Sequence, residues 1–171
     1  MIRLPKYARI VRQLPCGEHP FLAMLPLVAE SPAVRLIESP KMPIARLLET
    51  ARVRIERRNG YIWVDDDLPA VILTERYYRH GSRLDLYLDL LHELTHLRQL
   101  AEGQSLWDES LHYVDRPTEI EGYAVAVQEG RRLGMTEADI VRHLSNPWMT
   151  PADVTRLGAN VGRFLDKARG R

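Results

Sequence analysis

Apolar positions between residues 83 and 101 cover most of a helical surface. Leu84, Leu86, Tyr87, Leu88, Leu90, Leu91, Leu94 and Leu97 leave a single polar stripe of Asp85, Asp89, His92, His96 and Gln99, spaced four, three, four, three. A helix apolar over so much of its circumference belongs in a core. Ser82 followed by Asp85 resembles a capping box and Gly103 is a natural stop, so the pattern predicts one helix over about 83–101. Upstream the period is two: Ala51, Val53 and Ile55 alternate with Arg52, Arg54 and Glu56, and Asn59-Gly60 then leads to Tyr61–Val64. That reads as a hairpin, with 70–74 as a third antiparallel strand. Downstream, helices are expected over about 118–133, from Thr136 with Asp139, and from Thr150-Pro151 with Asp153, before a frayed tail. A short helix should start at Pro43. The proline-rich first forty residues read as turns and one helix wrapped over the core.

The fold class expected is α+β: a small antiparallel sheet of about three strands on the 83–101 helix, then a mainly helical C-terminal half. At 171 residues and 45% hydrophobic the chain suits one domain, with residues 1–42 as a wrap, 43–134 as the core and 135–171 as terminal helices. A net charge of +1 gives no field to attract nucleic acid or an anionic membrane. The dense Arg52, Arg54, Arg57 and Arg58 are interrupted by Glu56 and read as a solvated strand face. A lone cysteine, Cys16, excludes an intrachain disulfide and suits a reducing compartment. The apolar run 21–29 contains Pro26 and follows Glu18 and His19, the wrong layout for a signal peptide or membrane span. The expected location is cytoplasmic.

Chemistry concentrates in "LHELTHLRQL", residues 91–100. Histidines four apart on a helix share a face, so His92 and His96 can aim at one point and form half of a tetrahedral zinc site. Glu93 lies beside them, where a carboxylate can take a proton from an attacking water. A water-facing stripe would explain the same residues, so a third ligand decides the matter. Glu102 is an outside candidate; "RPTEIEGYAVAVQEG" offers Glu119 and Glu121.

These motifs resemble the gluzincin metallopeptidases. "HELTH" is similar to the active-site helix of thermolysin-like enzymes, and "TEIEGYAVA" to the E-x-E-A-x-x-x-A helix of ImmA/IrrE-type and other minimal gluzincins, over roughly residues 53–133. The resemblance implies a zincin-like fold and a zinc-dependent peptidase acting on peptide or protein substrates, with Zn2+ held by His92, His96 and Glu121 and with Glu93 as general base. Glu119 and Glu121 lie about 200° apart round a helix, so only one can face the metal. Glu121 is favoured because Gly122, Val125 and Ala126 should pack inward near it. Where thermolysin-like enzymes place an aspartate to orient a histidine this chain has Val125; Asp85 or Asp89 could serve instead. His112 and Tyr113, with Tyr123 nearby, are candidate oxyanion donors, and Trp63 and Trp107 candidate subsite walls. The rim of the cleft is expected at 70–74. Two other readings stay open: a metal hydrolase of another substrate class, and a latent or non-catalytic binding module whose cleft is covered by either end of the chain.

Overall fold

In a computed structural model, which describes residues 2–67 and 69–170, the chain is α+β. A 3-10 turn at Lys6–Ala8 precedes strand β1 (Gly17–Pro20), helix α1 (Phe21–Met24), a second 3-10 turn (Val28–Glu30) and helices α2 (Val34–Ile37) and α3 (Ile44–Thr50). Strands β2 (Arg52–Glu56), β3 (Ile62–Asp65) and β4 (Ala70–Thr74) follow, then helices α4 (Glu75–His80) and α5 (Arg83–Ala101). A third 3-10 turn (Tyr113–Asp115) leads into α6 (Pro117–Arg132), α7 (Glu137–Leu144) and α8 (Pro151–Arg169). Among the described residues, no helix is long and apolar enough to cross a membrane.

The sheet differs from the expected three-stranded antiparallel one. It has four strands in the order β1-β2-β4-β3 and is mixed: β1 and β3 run antiparallel to their neighbours, while β2 and β4 run parallel. No β2–β3 hairpin forms. A type I′ turn needs positive φ at both central residues, and although Gly60 has φ +124°, no described residue other than glycine has positive φ, so Asn59 does not join it. β4 inserts between the two strands because all five of its residues are buried, which a central strand permits and an edge strand does not. The register brings Val53, Val71 and Val64 into one cross-strand row, with Ile55, Leu73 and Ile62 in the next row on the same face. The opposite face carries Arg54, Ile72 and Trp63; there Arg54 pairs with Glu18 at 3.0 Å and the Arg58 guanidinium lies over Trp63.

α5 runs over the expected range, started by the Ser82 hydroxyl accepting from the Asp85 N–H. It packs on the sheet, α2 and α6, burying Leu86, Leu88, Leu90, Leu91, Leu94 and Leu97. Each such leucine contributes about 1.5–3 kcal/mol relative to an exposed one. α7 and α8 begin at Thr136 and Thr150 in full capping boxes, as the spacing predicted. The expected frayed tail is instead helical to Arg169, with Leu157, Val161 and Leu165 buried at intervals of four. β1 and α4 were not expected: β1 lacks alternation, and α4 is started by the Thr74 hydroxyl at the end of a strand. Arg12 anchors the N-terminal wrap on α4 by donating to the carbonyls of Arg79 and Gly81.

Candidate metal centre

His92 and His96 lie one turn apart on the α6-facing side of α5, and their Nε2 atoms approach to 2.8 Å. Glu119, in the first turn of α6, reaches them from across the helix pair, with Oε2 3.3 Å from His92 Nε2 and Oε1 3.6 Å from His96 Nε2. All three side chains are buried, and their donor atoms fall within 4.8 Å of one another. α6 starts with Pro117 at its first position, which puts Glu119 where a carboxylate also gains from the helix dipole.

Glu119 stands where Glu121 was expected. The Glu121 carboxylate lies a layer behind the imidazoles, 2.5 Å from an Arg98 nitrogen and accepting from Gln99 Nε2 at 2.6 Å. The outside candidate Glu102 is engaged by Arg98, Gln104 and the Ser39 hydroxyl. A sequence signal for Glu119 existed. Gly122 and Tyr123 are three and four residues after it, hence on its face of the helix, and both pack on His92. The Tyr123 ring centroid is 4.4 Å from that of His92, and a Cβ at position 122 would lie 3.0 Å from His92 Cε1 and Nδ1. The signal was ambiguous because Ala124, Val125, Ala126 and Val127 are also buried, so α6 has no single inward stripe.

Electrostatically, two imidazoles this close cannot both be cations. Burial, reinforced by His96, pushes the His92 pKa down to about 4. Burial also acts to lower His96, but Glu119 and Glu93 outweigh it and raise that pKa to about 9. For Glu119, burial would raise the pKa, yet the two histidines hold it well below the ordinary carboxylate range. Glu93, buried beside them, is pushed up to about 8, chiefly by burial. Glu119 Oε2 has no hydrogen-bond partner although it is buried. A buried carboxylate oxygen left this way is costly, and a cation between it and the two ring nitrogens would satisfy it. The group can therefore hold a metal ion.

Two pockets open beside the three side chains and share His92, Glu93, Tyr113 and Trp148. One, of about 280 Å3, has Val64, Leu106 and Trp107 as further walls. The other, of about 360 Å3, runs past Ile62, Tyr77, Asp85, Asp89, Tyr123, His143 and Asn146. Tyr113 lines both pockets: its hydroxyl lies 3.0 Å from that of Tyr123, which accepts from Asn146 Nδ2 at 2.7 Å. His112 lines neither. Its side chain is 54% exposed and turned toward Asp153 at 3.7 Å, because the 3-10 turn sends adjacent residues to opposite sides. Trp107 lines the apolar pocket, whereas Trp63 sits on the opposite face of the sheet and lines neither. Asp85 and Asp89 do hold a histidine. It is His143 of α7, with Nδ1 3.3 Å from Asp85 and Nε2 3.8 Å from Asp89, whose other oxygen takes the Tyr77 hydroxyl. His143, Asn146 and Trp148 escaped the sequence reading because nothing in their local pattern ties them to residues fifty positions away. No family model, no curated protein and no solved structure matches this chain, so its chemistry is read from the site alone.

Proposed function

We propose that this protein is a zinc-dependent peptidase of gluzincin type, with a zincin-like arrangement of sheet and active-site helix, in which His92, His96 and Glu119 would hold the ion. One observation carries the reading. A buried His-His-Glu group, in which Glu119 Oε2 approaches His92 Nε2 to 3.3 Å without forming a hydrogen bond, sits beside the buried Glu93 at the junction of two open pockets. Two imidazoles and one carboxylate form the donor set that suits zinc in hydrolytic sites, where three protein ligands leave one position open. Zinc, when bound there, supplies Lewis acidity that polarises a carbonyl and acidifies water.

The chain's own residues supply the rest. Glu93 accepts a proton from the attacking water and returns it to the leaving amine. Burial raises the Glu93 pKa above the ordinary carboxylate range, which favours proton uptake in the first step. Tyr113, with its hydroxyl beside that of Tyr123, presents a donor to charge that develops on a carbonyl oxygen in the larger pocket, and His143, held by Asp85 and Asp89, lines the same pocket. Among the described residues β3 is a terminal strand of the sheet, and Ile62 and Val64 each contribute to one pocket, so an extended peptide can run along its outer side across the site. That moves the rim from the expected β4, which is central. The apolar walls Val64, Leu106, Trp107 and Trp148 favour a bulky apolar side chain next to the bond that is cut. Residues 2–42 line neither pocket, whereas His143, Asn146 and Trp148, from the C-terminal side, line the larger one.

Glu93→Gln provides the test, with metal content and hydrolysis of a mixed peptide library as readouts. Wild-type protein should carry close to one zinc and cut peptides, and the variant should keep the zinc while turnover falls about 10²–10⁴-fold. Unchanged hydrolysis in the variant would overturn the peptidase reading.

A further inference from the structure

Behind the three side chains lies a polar relay that the catalytic scheme does not use. Gln99 is fully buried, three residues after His96 on α5, and its Oε1 is 2.7 Å from His96 Nδ1. Its Nε2 faces two oxygens, the Thr118 carbonyl at 3.1 Å and Glu121 Oε2 at 2.6 Å. Neither of these can donate in its ordinary form, since one is a backbone carbonyl and the other a carboxylate oxygen paired with Arg98. Turning the amide over would set its oxygen against both of them with no hydrogen between. The amide therefore has one allowed orientation, which makes Gln99 an acceptor toward His96. In the neutral ring that a metal requires, Nδ1 of His96 therefore carries the hydrogen, and the lone pair for a ligand is on Nε2, the atom that faces His92 and Glu119.

We infer that Gln99 and Glu121 are positioning residues for the metal centre: Glu121 fixes the Gln99 amide, and Gln99 fixes the tautomer and ring orientation of His96. This gives Glu121 a place in the site one step removed from the ligand role its position in the motif suggested. Arg98, itself buried, pairs with Glu121 and, on its far side, with Glu102, which does not reach the amide. The two carboxylates thus share the arginine, but only Glu121 touches the amide. The inference rests on the metal-binding reading above, and the difference between these two carboxylates is what tests it.

Zinc dissociation constants from chelator competition at fixed pH, for wild type, Gln99→Leu, Glu121→Gln and Glu102→Gln, form the experiment. Nitrogen-15 spectra of the histidine rings in the zinc-loaded proteins accompany it. Gln99→Leu should weaken zinc binding about 10–100-fold, the range for removing a group that orients a metal-bound histidine. It should also abolish the slowly exchanging Nδ1–H signal of His96. Glu121→Gln, at a partly exposed position, removes the carboxylate, the shorter of the two contacts that hold the amide, leaving the Thr118 carbonyl, and should weaken binding about tenfold. Glu102→Gln disturbs the same arginine without touching the amide and should leave both readouts unchanged. Equal affinity in wild type, Gln99→Leu and Glu121→Gln overturns the relay while leaving the zinc site standing. A loss in Glu102→Gln as large as in Glu121→Gln also overturns it, since the effect would then pass through Arg98. Wild-type protein that fails to bind zinc defeats the functional reading itself, a result distinct from either.

Discussion

Gly122 illustrates how much of the site depends on single atoms. The His92 ring lies against the bare Cα of α6, where a methyl group would stand 3.0 Å from two ring atoms. His92 has little room to retreat, with Tyr123 at 4.4 Å and His96 at 4.5 Å between ring centroids. Gly122→Ala sets two effects against each other. A helix-interior alanine gains about 1 kcal/mol over glycine, and forcing a methyl into a packed contact costs about 1–3 kcal/mol. Fold stability should change little. On the proposed zinc site, affinity should fall severalfold because the displaced atoms belong to a ring that would hold the ion. Calorimetric unfolding and chelator competition on the same preparation check both halves, and unchanged affinity would show that the ring is not held by this contact. The residue scale is also where the sequence misled. Glu119 and Glu121 are equally good carboxylates on the same helix turn, and their roles were settled by Arg98 and Gln99, which draw Glu121 away from the imidazoles.

At the scale of elements, α5 is both the floor of the site and the centre of the core. Leu91 is fully buried on the helix that carries His92, and Leu91→Ala should destabilise the protein by about 2–5 kcal/mol in urea unfolding. A loss well under 1 kcal/mol would mean that this helix is not packed as described. The extent of α5 was legible because nineteen residues of it carry a nearly continuous apolar surface with a capping serine before it. α7 and α8 were legible from Thr136-Asp139 and Thr150-Asp153, whose reciprocal hydrogen bonds are local. Elements stabilised by distant partners were harder. β1 has no pattern of its own and exists because β2 offers it an edge, and α8 continues past its expected end because Leu165 finds the core.

For the whole molecule, the contact between α5 and α7 couples the cleft to pH. Burial lowers the His143 pKa, but the Asp85 hydrogen bond and the Asp89 charge outweigh that and the repulsion from Arg142, leaving it above its ordinary 6.5. Such a group stabilises the fold fully below its unfolded value and loses that contribution as pH rises through the higher folded value. Asp85 has the opposite sign: the His143 hydrogen bond lowers its pKa, so its contribution is present above the ordinary aspartate value of 3.8 and lost as pH falls through the depressed one. The pair is therefore worth most in mildly acidic solution, above the aspartate range and below 6.5. In urea unfolding across pH, His143→Asn should be destabilised most in that window, with the gap to wild type closing as pH rises. A gap that is constant with pH would show that His143 is not charged in the fold.

By itself the sequence determined what depends on neighbours along the chain: the α5 helix and its apolar surface, the caps of α7 and α8, the pairing of His92 with His96 on one face, and Glu93 beside them. Helical periodicity and capping act over a few residues and leave their mark in spacing. Tertiary structure alone decided the strand order, the choice of Glu119 over Glu121, the removal of His112 from the site and the arrival of His143, Asn146 and Trp148 at the cleft. Each of these turns on which buried partner a side chain meets across the fold, and competition among polar groups for the same partner leaves no period in the chain to be read.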